Sequence, residues 1–298
     1  MHPFPPLRRT RRRGGTIYVN GIFLDVEGLS WVAGTDGWHE RPTVLLLHGG
    51  PGADHAVFKP RMSALARWAQ VIYLDQRGGG RSFRSTSADW NLRTWTNDVR
   101  TVCETLGVER PILLGQSFGT LIAMCYAIEY PDRTGGLILA SPYASGDFST
   151  SYPLFEKLGG AAAGQAARRF WEEPTPSSLA SYRLLCAPLY PGRPALAPIR
   201  QGRPALQGMN DDVLLHYVQG EHRNLDLYGV LHRIRCQTLI LSGQRDPLTP
   251  PSHAHDIASA MRPSLAKVQV LAGAGHHVFA EAPRASLRLV QGFLQGMI

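Results

Sequence analysis

The hydrophobic pattern of this chain is dominated by short apolar runs at regular intervals. Thr43–Leu47, Val71–Leu74, Pro111–Leu114, Gly136–Ala140 and Thr238–Leu241 are each apolar almost without interruption. Such runs predict strands buried on both faces of a parallel sheet, because one-sided burial would alternate apolar and polar residues. Helix-like stretches separate them, at about 58–69, 94–106, 121–128, 252–261 and 283–293, and Lys267–Leu271 predicts a further strand. Strands alternating with helices mean βαβ units, right-handed crossovers and an α/β fold, a mostly parallel sheet with helices on both faces. Ahead of this, Thr16–Val19 and Ile22–Val26 flank Asn20-Gly21, a hairpin signal. Leu29–Ala33 predicts another strand, and 34–42 a polar loop.

The rhythm stops at about Ser141. Between 141 and 235 the pattern is helical, over 154–173, 177–186 and 211–220, with a proline- and glycine-rich stretch at 188–208. The organisation predicted is a core α/β domain formed by 16–140 and 236–298, an inserted helical lid at 141–235, and a disordered basic tail at 1–15. No internal repeat is visible.

Charge changes this picture little. Arg8, Arg9, Arg11, Arg12 and Arg13 carry five of the net +8 charges. With Pro3, Pro5 and Pro6 beside them and no basic-aromatic pattern continuing into the body, they read as a solvated tail, not a nucleic-acid surface. Nothing approaches 18 apolar residues in a row, so no membrane span is expected, and the tail lacks an export signal's apolar region. Cys103, Cys125, Cys186 and Cys236 show no paired spacing. A reduced, cytoplasmic protein is expected.

The chemistry centres on Gly115-Gln116-Ser117-Phe118-Gly119, entered by a predicted strand and left by a predicted helix. In that setting Gly-x-Ser-x-Gly is a nucleophile elbow, whose tight turn leaves room only for residues without bulk two positions to either side. A serine hydroxyl needs a base to take its proton and a carboxylate to orient that base. In elbow folds these follow in the order serine, acid, histidine, on loops past strand ends. Asp246 and His276 meet that description. Asp75 precedes the serine, Asp147 follows the next strand, and His277 adjoins His276; these are the rivals. Backbone amides of Phe118 and of Gly50, or its neighbour Gly49, would face the oxyanion. His48, at the end of a buried strand, is expected to hydrogen-bond the neighbouring turn. His253 and His255 point apart on a helix, and no metal is expected.

Five segments together resemble the proline iminopeptidase family of α/β-hydrolases: His48-Gly-Gly-Pro-Gly52, Asp75-Gln-Arg-Gly-Gly-Gly-Arg-Ser82, the 115–119 elbow, Gly243-Gln-Arg-Asp246 and Gly275-His276. The resemblance covers the core domain, about two thirds of the chain. It implies a Ser-His-Asp hydrolase without metal or cofactor that releases an N-terminal residue, often proline, from a short peptide or amide. An esterase, thioesterase or amidase on a small molecule is the alternative, and a catalytically silent receptor a remote one. Phe118 departs from the family's frequent tryptophan. Family members hold the substrate's amine with lid glutamates, for which Glu221 is the candidate, ahead of Glu172 and Glu173.

Overall fold

A strand buried on both faces must be paired on both edges and covered by helices. That is the environment the apolar runs find in the computed structural model, which describes residues 15–192 and 209–296. The strands are β1 (Gly15–Val19), β2 (Ile22–Glu27), β3 (Trp31–Ala33), β4 (Trp38–Glu40), β5 (Thr43–Leu47), β6 (Gln70–Leu74), β7 (Ile112–Gln116), β8 (Gly136–Ala140), β9 (Thr238–Gly243) and β10 (Ala266–Leu271). Eight form one sheet in the order β1-β2-β6-β5-β7-β8-β9-β10, antiparallel at β1, β2 and β6 and parallel from β6 onward.

Alternate residues of each central strand enter different cores. Leu45, Leu47 and Leu113 join one hydrophobic cluster, while Val44, Leu46, Ile112 and Leu114 join the other. The first cluster packs against α1 (Leu92–Leu106) and α2 (Phe118–Glu129). Among the described residues four α-helices lie between β8 and β9: α3 (Tyr152–Gly159), α4 (Ala161–Glu172), α5 (Pro176–Leu185) and α6 (Asp211–Gln219). The chain closes with α7 (Pro251–Ala260), the short α8 (Val278–Glu281) and α9 (Pro283–Gln295). Val290 and Leu294 of α9 cover the second cluster.

Local chemistry explains where the elements depart from expectation. α1 begins earlier than its apolar pattern because Asn91 caps it, accepting from the Thr94 amide at 2.9 Å. The helix expected at 58–69 is two separate 3₁₀ segments, His55–Phe58 and Arg61–Arg67. Asp54 caps the first, and Pro60 has no N–H to carry a helix through. The expected helix 154–173 is two, because Gly160 turns out of the helical region at φ 79°. β3 and β4 form a separate hairpin where a loop was expected at 38–40; it is largely exposed, so no buried side marks it in the sequence. Gly15, assigned above to the tail, opens β1; the arginine-rich segment itself, and most of 188–208, lie outside the described residues.

Candidate active site

β7 ends at Gln116 and α2 starts at Phe118, leaving Ser117 alone on the turn with φ 50° and ψ −119°. The glycine requirement is steric. A Cβ on Gly115 would lie 2.5 Å from the Gly119 carbonyl oxygen, and one on Gly119 would overlap the Leu47 carbonyl. The Ser117 amide donates to Ala140 O on β8 at 2.9 Å, which ties the turn to the sheet.

Two loops past neighbouring strand ends converge on the serine. His276 Nε2 stands 3.1 Å from Ser117 Oγ, and His276 Nδ1 stands 2.8 Å from Asp246 Oδ2. Asp246 is spent on its own turn as well. Its Oδ1 accepts from the Leu248 and Thr249 amides at 2.9 and 3.0 Å, and Oδ2 from Thr249 Oγ1 at 2.8 Å. Burial would raise this carboxyl, but the His276 ring and the Thr249 donors outweigh it and hold the group below its ordinary value. An ionised carboxylate only accepts, so Nδ1 carries the proton and Nε2 presents its lone pair to Ser117.

The histidine is held from both sides. Its amide donates to Tyr190 O at 2.8 Å, and its carbonyl accepts from Ser141 Oγ at 2.7 Å. The Tyr190 ring packs edge-on to the imidazole at 5.0 Å. His277 turns elsewhere, 3.3 Å from the Gln116 side-chain amide, and burial lowers its pKa to about 4.

As the first residue of α2, Phe118 has an N–H with no intrahelical acceptor. Opposite it runs the loop 48–52. Gly49 abuts the serine, since a Cβ there would stand 3.1 Å from Ser117 Cβ; Gly50 adopts φ 61° beneath Met209. His48 pins this loop. Its Nδ1 donates to Gly49 O at 3.0 Å and its Nε2 accepts from the Gln76 amide at 3.1 Å, and burial lowers its pKa, so the ring is neutral.

The remaining candidates lie apart. Asp75 accepts from His55 Nδ1 at 2.7 Å and from the His55 and Arg81 amides, bracing the 75–82 loop. Asp147 accepts from the Ser149 amide at 2.8 Å. Glu221 is not brought to Ser117: its carboxylate accepts from the Leu92 amide at 2.8 Å and caps α1. Glu172 pairs with Arg168 on the surface. His253 contacts Thr150, and among the described residues no group of three or more potential ligands gathers as a metal site. No described helix is long and apolar enough to cross a membrane.

Sequence reasoning missed the aromatic wall. The Phe118 ring packs on Trp95 at 5.1 Å and on Tyr217 at 4.9 Å, and Tyr217 OH stands 3.4 Å from Tyr143 OH. These residues come from α1, α6 and the segment after β8, and no spacing in the sequence links them. Thr249 did have a signal, since Asp-Pro commonly opens a turn whose Asp side chain accepts amides two and three residues on.

A sheet of this order, with an elbow serine hydrogen-bonded through histidine to a carboxylate, defines a class of hydrolase folds. The chain belongs to the alpha/beta hydrolase fold family, whose model matches residues 42–283. It is similar to the proline iminopeptidase of Lactobacillus delbrueckii subsp. bulgaricus, 38% identical over 111 residues; the match takes in 36% of this chain and 38% of the relative's length. In structure it is similar to a proline iminopeptidase of Mycobacterium smegmatis, with TM-score 0.75, 20% identity, and 95% and 98% of the two chains covered. A thermophilic esterase from Thermogutta terrifontis aligns with TM-score 0.69, 23% identity, and coverage of 96% and 99%.

Proposed function

We propose that the protein is a serine hydrolase acting through an acyl-enzyme on neutral ester, thioester or amide substrates. The hydrogen-bonded series Ser117–His276–Asp246 carries the reading. His276 Nε2 takes the Ser117 proton as Oγ bonds to the substrate carbonyl carbon. The Phe118 and Gly50 amides receive the oxyanion. His276 passes its proton to the leaving group as the bond to carbon breaks; water, deprotonated by His276, then releases the acid and restores Ser117. Asp246 keeps the imidazole in the required tautomer. On this reading 141–235 acts as a lid over the core formed by 16–140 and 236–298. The four unpaired cysteines fit a reducing, cytoplasmic compartment.

The preference for neutral substrates rests on the carboxylates. A free amine in a dry pocket needs a countercharge. Among the described residues the buried acids are Asp75, Asp98 and Asp246, each committed, to His55, Arg77 and His276. Residues 193–208 contain three arginines and no acid.

A proline iminopeptidase-like aminopeptidase is the second reading, favoured by the five motifs and by the 38% identical relative. For Glu221 to serve it as amine anchor, its carboxylate would have to release Leu92. A fluorophosphonate should label Ser117 alone, and short acyl esters and N-acetylated prolyl anilide should be hydrolysed faster than free prolyl anilide. Absence of labelling overturns the hydrolase reading. Preference for the free amine overturns the neutral-substrate reading in favour of the aminopeptidase.

A further inference from the structure

Ser141 stands one residue past the end of β8, as Ser117 stands one residue past the end of β7, and both have φ 50°. That left-handed conformation is uncommon for a residue with a Cβ, whereas glycine adopts it without strain. Among the described residues five that are not glycine take it: Asn20, Ser85, Ser117, Ser141 and Ser264. Ser141 alone of these is buried. Such strain persists where the surroundings impose it, most often beside a working site.

Its bonds reach the segments that carry Ser117, Asp246 and His276. Ser141 N donates at 2.8 Å to Leu241 O on β9, the strand that leads into the Asp246 turn. The carbonyl just before it, Ala140 O, receives the Ser117 amide at 2.9 Å. Ser141 Oγ donates to His276 O at 2.7 Å. Two consecutive residues thus hold the backbone of the serine and the backbone of the histidine, whose side chains meet at 3.1 Å. The planar peptide that follows His276 is held at both ends. Its N–H, that of His277, donates to Glu281 Oε1 at 2.9 Å, and its carbonyl accepts from Ser141. The peptide before His276 is held by its N–H on Tyr190 O. With both planes fixed, the Cα–Cβ bond of His276 has one direction; without the Ser141 hydroxyl, the second plane pivots about Glu281.

We propose that Ser141 is a positioning residue, whose hydroxyl sets the direction from which the His276 imidazole approaches Ser117. The inference rests on the serine hydrolase reading for its kinetic consequence, and on the hydrogen bonds alone for its hold on the ring. A misplacement of about 1 Å in a reacting pair costs on the order of 100-fold in rate. Strain at Ser141 is thereby accounted for: glycine would suit the backbone better but has no hydroxyl to give.

Three substitutions separate the hydroxyl from the backbone. Ser141→Ala removes the hydroxyl and keeps the strain, Ser141→Gly removes both, and Ser141→Cys keeps a weak donor. Ser141→Gly suits the native φ, so it should fold even where Ser141→Ala does not. Ser141→Ala and Ser141→Gly should each lower kcat on 4-nitrophenyl acetate, and the rate of fluorophosphonate labelling at Ser117, by about 10- to 100-fold, with KM within about threefold. Ser141→Cys should regain part of the loss. A crystal structure of Ser141→Gly should show His276 Nε2 displaced from Ser117 Oγ by about 0.5 Å or more, beyond the tolerance of a working site. An unmoved ring or an unchanged kcat in Ser141→Gly overturns the proposal. Recovery in Ser141→Gly of what Ser141→Ala loses also overturns it, since the backbone and not the hydroxyl would then matter. Absence of labelling and of ester turnover in wild type overturns the hydrolase reading instead, and the position of the ring in Ser141→Gly still decides whether Ser141 holds it.

Discussion

Two histidine–aspartate pairs lie buried just past the ends of parallel strands, one after β9 and one after β6. Their shared geometry is nearly the same, with Nδ1 2.8 Å from Asp246 in His276 and 2.7 Å from Asp75 in His55. Both carboxylates also accept two backbone amides. The second ring nitrogen is what distinguishes them. His276 Nε2 faces the Ser117 hydroxyl, whereas His55 Nε2 faces Asp25 at 3.7 Å, beside the Lys59 ammonium. An imidazole between a carboxylate and a hydroxyl can move a proton to and fro. One between two carboxylates is a brace for the loop that carries it. The outer contact, not the inner one, is thus what suits His276 to the proposed role of base.

The largest expected effect lies at that outer contact. Ser117→Ala should lower kcat by on the order of 10⁴–10⁶-fold with the fold intact. Next, Asp246→Asn should cost roughly 10⁴-fold in kcat by favouring the wrong tautomer. Asp75→Asn should leave kcat/KM within a few-fold and lower stability to urea by about 2–3 kcal/mol, since buried donors lose their acceptor. A stable but inactive Asp75→Asn protein would break the comparison. Smaller again, Glu221→Ala should cost about 1 kcal/mol through the lost cap on α1, with ester turnover unchanged.

Acid titration sharpens the contrast with histidines that have no carboxylate. Burial raises Asp75 as it does Asp246, and their hydrogen bonds more than reverse it, so both sit below 3.8. Their stabilisation is full above that value and lost as pH falls through the lower folded values. His222 is the opposite case, lowered by burial to about 4 in the fold against 6.5 ordinarily. The unfolded chain takes up that proton first, so stability should decline as pH drops from about 6.5 to 4 and level off above. His222→Phe should remove on the order of 3 kcal/mol of that decline, read from urea unfolding at pH 4.5 and 7.5. An unchanged slope would mean that the imidazole is not buried neutral.

Much of this was legible in the residues. The buried strands announced themselves because both faces are apolar, and Gly115 and Gly119 because the elbow leaves no space for a Cβ. Chain order and strand ends named Ser117, Asp246 and His276, which the structure hydrogen-bonds in series. What escaped depends on distant meetings. Glu221 caps a helix 129 residues earlier in the chain, and His55 reaches Asp75 across a strand. Tyr217 belongs to an element whose own periodicity says only that it is helical, and Tyr143 to the irregular segment after β8, where no periodicity marks a contact. Pro60 and Gly160 lie inside the stretches 58–69 and 154–173, each expected as a single helix, and each interrupts its stretch.

The join at Tyr190 bears on how such proteins are recombined. A designer wishing to transplant substrate selectivity would treat the stretch between β8 and β9 as a cassette, cut at its two chain ends. Here it has a third point of attachment: Tyr190 receives the His276 amide, and Gly275 has no Cβ because one would strike the Tyr190 carbonyl. A graft that respects both splice points but lacks a matching carbonyl would leave the base's loop loose, so chimaeras should carry residues 186–192 and 273–277 as one heritable unit.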